Sequence, residues 1–120
     1  MRGLPVLSLT LISLTACAIL GGGVRERSEE AFRRQNQLSS RFMLEGPEIE
    51  AGSPAVFARL AREERSMLRA CEALNTVAAK RSEGEDVSLG EKRAVLRNLD
   101  ECEKESAIFA ESLERATSTR

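Results

Sequence analysis

Apolar residues recur at helical spacing along three segments of the chain, and these segments predict three helices. The first covers residues 24–44 and has a thin apolar stripe with a seven-residue repeat. Gly46 and Pro47 are expected to end this helix, because proline does not continue a regular helix easily. Residues 48–52 would then form a loop.

The second predicted helix begins at Ser53, which can cap its first turn, followed by Pro54 at the first helical position. Its pattern fades at Lys80 and Arg81, whose charges favour a helix C-terminus. The apolar face of this helix consists of Phe57, Leu60, Ala61, Leu68, Cys71, Leu74 and Ala78.

The third predicted helix begins at Ser88, and Glu91 three residues later completes the pattern of a capping box. A polar turn over residues 82–87 separates it from the second helix. Its apolar stripe consists of Val95, Leu96, Leu99, Cys102, Phe109, Leu113 and Ala116.

The apolar faces of the second and third helices match when the two fold back on each other. The antiparallel register that places Cys71 beside Cys102 pairs further apolar residues: Leu74 with Leu99, Val77 with Leu96, Ala78 with Val95, and Leu60 with Leu113. One pair is poor, Glu64 against Phe109. The sequence therefore predicts an all-α domain, an antiparallel helical hairpin with one further N-terminal helix.

Cys71 and Cys102 admit two interpretations. In an exported protein, the oxidising compartment allows them to form a disulfide that staples the hairpin. Otherwise both are small buried apolar residues. A redox or zinc site is not indicated, since two thiols without a C-x-x-C spacing do not complete one.

The N-terminus has the layout of a secretory signal: Arg2 supplies positive charge, and an apolar stretch follows. The tetrapeptide Leu14-Thr15-Ala16-Cys17 then resembles the lipobox of bacterial lipoproteins. The resemblance implies a signal peptide over residues 1–16, cleaved before Cys17, and lipidation of that cysteine with diacylglycerol and an amide-linked acyl chain such as palmitate.

Under this interpretation, residues 17–23 form a lipid-anchored, glycine-rich tether, and residues 24–120 form the small helical domain. Two or three acyl chains on one residue hold a protein at a membrane without a spanning helix. Ala18 follows the cysteine where enteric inner-membrane lipoproteins tend to have aspartate. The resemblance therefore implies an outer-membrane location facing the periplasm, although the inner membrane stays open.

The alternative for the N-terminus is an uncleaved transmembrane helix over residues 4–20. This segment is at the lower length limit for spanning, and Pro5 and its hydroxyl side chains weaken it. Arginines downstream of it would tend to keep the domain in the cytoplasm.

Composition limits the chemistry that the chain can perform. Among 120 residues there is no His, Trp or Tyr, which excludes histidine bases, Cys-His pairs and His-ligated metals. The formal net charge of -1 and the scarcity of aromatic residues argue against nucleic-acid binding. Neither catalytic residues, nor a metal site, nor a cofactor is expected, because the carboxylates are interleaved with cations on helix faces.

The first helix is mildly basic, whereas the rest of the chain is acidic. It is expected either to pack on the hairpin or to contact lipid headgroups or a partner helix. The predicted function is a non-enzymatic, lipid-anchored envelope module with a protein partner, such as an accessory or pilot subunit or an exclusion or lysis lipoprotein. The alternatives are a periplasmic inhibitor or ligand binder that uses a loop at residues 44–53, and a single-span inner-membrane protein.

Overall fold

Four α-helices make up the part of the chain that the structure describes. The computed structural model describes the backbone of residues 8–118 and the side chains of residues 23–118. The helices are α1 (Ser8–Gly52), α2 (Pro54–Ala70), α3 (Glu72–Ser82) and α4 (Leu89–Ser118). The predicted all-α class is confirmed for these residues.

All other helices pack against α4, and α1 and α2 also contact each other. Arg27 of α1 binds Asp100 of α4, and Arg41, further along α1, binds Glu114, further along α4. The two helices therefore run side by side in the same direction. The buried apolar residues of all four helices form one core.

Most residues of the two predicted apolar faces belong to that core, but two leucines do not. Leu68 is 40% exposed and Leu96 is 56% exposed, so their assignment to the buried faces was wrong. The poor match of Glu64 with Phe109 in the predicted register also has an explanation, because the ring of Phe109 packs edge-on against Phe42 of α1. The apolar partner of Phe109 thus comes from α1, a helix that the two-helix register did not include.

The prediction that the first helix ends at Gly46 and Pro47 was wrong, because α1 continues through both residues to Gly52. Gly46 serves packing instead. A Cβ at this position would lie 3.2 Å from the ring of Phe57, so only glycine lets that ring approach without displacement. Beyond Pro47, burial of Ile49 helps to hold the last turns against the core.

The second predicted helix is interrupted once, at Cys71, where φ is -94° and ψ is 7°. Hydrogen bonds continue across the break, from the Cys71 amide to the Met67 carbonyl and from the Asn75 amide to the Cys71 carbonyl. The interruption is thus a local change of backbone geometry between α2 and α3, and the periodicity of apolar residues gave no sign of it.

The predicted caps are confirmed. Ser53 Oγ accepts a hydrogen bond from the Val56 amide, and α2 begins at Pro54. At α4, Ser88 Oγ accepts from the Glu91 amide, while Glu91 Oε1 accepts from the Ser88 amide, as a capping box requires. Gly84, with φ of 74°, takes the left-handed conformation in the preceding turn.

Candidate functional site

The two cysteines of the domain lie together in the core. Cys71, at the junction of α2 and α3, and Cys102, on α4, have their sulfur atoms 2.06 Å apart, which is disulfide distance. Both are buried, and the buried hydroxyl of Ser106 lies 4.0 Å from the Cys71 sulfur. The two cysteines thus lie beside each other, as one pair of the predicted register requires.

The third cysteine lies outside the described side chains. The helix α1 includes position 17, but the structure describes side chains only from residue 23 onward. Lipidation of Cys17 and cleavage before it therefore stay predictions. The backbone of residues 17–23, which were predicted to form the tether, is helical and belongs to α1.

A groove opens between α1, α3 and α4 beside the first described side chains, with a volume of about 740 Å³. Its floor consists of buried Leu74, Val77 and Val95. At its mouth, Val24 is 38% exposed and Leu96 is the exposed leucine described above. The groove is thus an apolar depression open to solvent.

The charged residues that line the groove are mostly basic. Arg25, Arg81 and Lys92 are exposed cations at its wall, and Glu29 is the one acidic residue there. Glu29 accepts a bond from Arg25 Nε at 3.1 Å. Arg81 and Lys92 are exposed and form no ion pair with a carboxylate of the described residues.

Ion pairs to α4 hold α1 in place beyond the groove. Arg27 donates to Asp100 at 2.8 Å and to Glu103, and these bonds raise its pKa above the ordinary value. Arg41 donates to Glu114 at 3.0 Å, and this bond likewise raises the pKa of Arg41. Exposed pairs of this kind add little stability singly, but they fix which residues of α1 meet α4.

A pair of side-chain amides, one buried and one half-buried, joins α1 to α3. Gln35 is only 1% exposed, and its Oε1 accepts a hydrogen bond from Asn75 Nδ2 at 3.1 Å; the Gln35 amide donates back to Asn75. This pair was not predicted from the sequence, although the sequence contains a signal for it. Gln35 falls on the same stripe as Ala31 and Leu38, where an apolar residue would be expected.

Within residues 23–118, no three His, Cys, Asp or Glu side chains lie close enough together to hold a metal ion. Among the carboxylates of the helices, Asp100 and Glu101 are exposed, whereas Glu63 and Glu64 are half-buried. None of the helices, over the part of the chain that is described, is long and apolar enough to cross a membrane.

Comparison with known proteins gave no match: no protein-family model, curated protein or solved structure resembles this chain significantly.

Proposed function

We propose that the protein is a non-enzymatic, lipid-anchored interaction module of the bacterial cell envelope. In this proposal Cys17 carries the lipid, and the domain faces the periplasm from the outer membrane. Helices α2 to α4 form an antiparallel hairpin stapled by a Cys71–Cys102 disulfide, and α1 packs along it and leads to the anchor.

The observation that carries this proposal is the position of the two sulfur atoms. Cys71 and Cys102 are 31 positions apart in sequence, yet their sulfurs lie at disulfide distance in the core. Disulfides persist in oxidising compartments and are rare in the cytosol. The pair therefore supports export, and it does so independently of the N-terminal signal.

The lipobox-like tetrapeptide that ends at Cys17 supplies the second support. One acyl chain gives only marginal membrane binding, whereas two or three chains on one residue anchor a protein durably. In this arrangement α1 leads directly from the anchor into the domain, because it continues from the N-terminal segment to Gly52. The domain would then stand close to the membrane surface.

A protein partner is supported by two neighbouring apolar side chains in α1. Met43 is 78% exposed and Leu44 is 80% exposed, although both lie well inside a helix that packs on the core. Single exposed apolar residues are common on protein surfaces, but adjacent ones on a rigid helix offer an anchor point for a partner helix.

One alternative loses its structural premise. A periplasmic inhibitor that uses a loop at residues 44–53 requires irregular backbone there, and α1 continues through Gly52 instead. The single-span alternative places the domain in the cytoplasm, where Cys71 and Cys102 would remain thiols. The redox state of these two residues in cells therefore distinguishes export from retention.

Acyl labelling in cells tests the anchor. The wild-type chain should incorporate a labelled fatty acid and begin at Cys17, and Cys17→Ser should abolish both the label and the cleavage. The double variant Cys71→Ser/Cys102→Ser is the matched control, because it removes the other two cysteines and should keep the label. A wild-type chain that retains residues 1–16 and carries no acyl group would refute the proposal.

A photo-crosslinking amino acid tests the partner. Placed at position 44, it should yield one discrete protein adduct in growing cells. The control position is Arg62, which is exposed on α2. Adducts of equal yield at both positions would mean that Leu44 marks no specific contact.

A further inference from the structure

We propose that the groove binds one anionic phospholipid of the membrane, with an acyl chain on the apolar floor and the phosphate beside Arg81 and Lys92. The choice of a lipid as the ligand rests in part on the proposed function, since lipid anchoring is what keeps the groove near a membrane.

The apolar part of the groove fits an acyl chain. Its floor is made by aliphatic side chains from two helices, Leu74 and Val77 of α3 and Val95 of α4. Val24 and Leu96 extend this apolar surface outward to solvent. A volume of about 740 Å³ lies in the range of roughly 300–1,000 Å³ that is usual for small-molecule sites.

The charge of the groove favours an anionic ligand. Three of its four charged lining residues are cations, whereas the whole chain has a net charge of -1. Glu29 is paired with Arg25, which leaves Arg81 and Lys92 as the two lining cations without an ion pair among the described residues. Guanidinium and ammonium groups are the side chains that bind phosphate oxygens most strongly.

The location of the groove favours a lipid over a soluble anion. Val24, at the edge of the groove, is seven positions after Cys17. Seven residues of helix rise about 10 Å, so an anchor at Cys17 would hold the groove at the level of the lipid headgroups. Basic side chains near an anionic membrane surface each strengthen attachment to it.

Photolabelling of the full chain in vesicles tests this site. The vesicles contain phosphatidylcholine with a minor fraction of phosphatidylglycerol whose acyl chain carries a photoactivatable group. Trypsin releases residues 94–97, which include Leu96, and residues 66–69, which include Leu68 on another face. We expect label on the first peptide in clear excess over the second.

Charge variants test the role of the two cations. Arg81→Gln/Lys92→Gln should reduce labelling of residues 94–97 by about tenfold at low lipid fraction. The matched control Arg59→Gln/Arg62→Gln removes two exposed cations from α2 and should leave the labelling unchanged. Equal effects of the two variants, or equal labelling by a phosphatidylcholine probe, would overturn the recognition of an anionic lipid.

Other occupants of the groove give different results. Labelling that appears only in Cys17→Ser would assign the groove to the protein's own acyl chains and overturn the inference. A crosslinker at position 96 that captures a protein instead of lipid would overturn it too. If Cys17 is lipidated but residues 94–97 carry no excess label, the proposal of lipid binding in the groove is refuted and the lipid anchor is not. Selective label on an unlipidated wild-type chain would refute the anchor and retain the groove.

Discussion

The two ends of the helical domain are built differently. At one end, hereafter the aromatic end, the ring centroid of Phe42 lies 5.3 Å from that of Phe57 and 5.6 Å from that of Phe109. These rings close the space between α1, α2 and α4. At the other end, α1, α3 and α4 leave the groove open, and Leu96 lies half in solvent.

This difference suggests that the two ends of the domain have different roles, one in stability and the other in binding. Aromatic side chains bury the most area per residue, so the aromatic end should account for a large share of the folding free energy. The groove end has shorter aliphatic side chains and an open apolar surface, which a ligand or a partner can cover. Changes at the two ends should therefore have effects of different size and kind.

The largest expected effect comes from removing a ring at the aromatic end. Phe109 is fully buried, so Phe109→Ala should lower the free energy of unfolding by about 3–5 kcal/mol. Leu96→Ala, at the groove, should change it by no more than about 0.5 kcal/mol. Urea unfolding followed by circular dichroism measures both, and equal losses would show that the two ends contribute alike.

The cysteine pair should come next in size. If Cys71 and Cys102 are bonded, Cys71→Ala/Cys102→Ala should lower the free energy of unfolding by about 3–4 kcal/mol, because the bond closes a loop of 31 positions. Reductant should destabilise the wild-type chain by a similar amount and leave the variant unaffected. A wild-type chain insensitive to reductant would contradict the bond.

A smaller effect is expected at the amide pair that joins α1 to α3. Gln35→Ala leaves the Asn75 amide without its partner and should cost about 1–3 kcal/mol. Gln35→Leu/Asn75→Leu removes both polar groups and should come close to the wild-type stability. A double-mutant cycle measures the coupling, and additive losses would show that the two amides act independently.

The smallest expected effect is on the pH dependence of stability, through Glu91 at the end of the domain that contains the groove. Lys80 Nζ lies 2.9 Å from Glu91 Oε2, and this bond, with those from Ser88, lowers the pKa of Glu91 below its ordinary value of 4.5. A carboxyl with a lowered folded-state pKa stabilises above its unfolded pKa and loses that contribution as pH falls through the folded value.

The unfolding midpoint of Glu91→Gln should therefore fall less steeply than that of the wild type below about pH 4.5. Glu101→Gln, an exposed residue on the same helix, serves as the control and should retain the wild-type slope. Parallel curves for the wild type and Glu91→Gln would show that the Lys80 bond does not contribute to stability.

Features that depend on neighbouring residues could be predicted from the sequence. The caps at Ser53 and Ser88 require only residues within one helical turn, and both are confirmed. The juxtaposition of Cys71 and Cys102 could be predicted because it depends on two matched helix faces. The chemical bond between them stays a prediction for the protein in cells.

Features that depend on a third helix could not be predicted in this way. Gly46 looked like a helix terminator, because sequence alone does not show that the ring of Phe57 approaches it. Leu96 was assigned to the interface of the second and third predicted helices, because a register of two helices does not show that a groove opens beside this residue. The groove is lined by residues of α1, α3 and α4 together, and the periodicity of any one helix does not show it.

The cysteine pair also has a mechanical consequence. Once bonded, it shields α3, the turn that follows and the part of α4 before Cys102 from any force applied to the two ends of the chain. Residues extend by at most about 3.3–3.6 Å each, so the 31 positions between the cysteines represent about 100 Å of length that pulling cannot release. In a protein held by a membrane at one end and by a partner at the other, one covalent bond would thus limit the maximum length to which force can extend the chain.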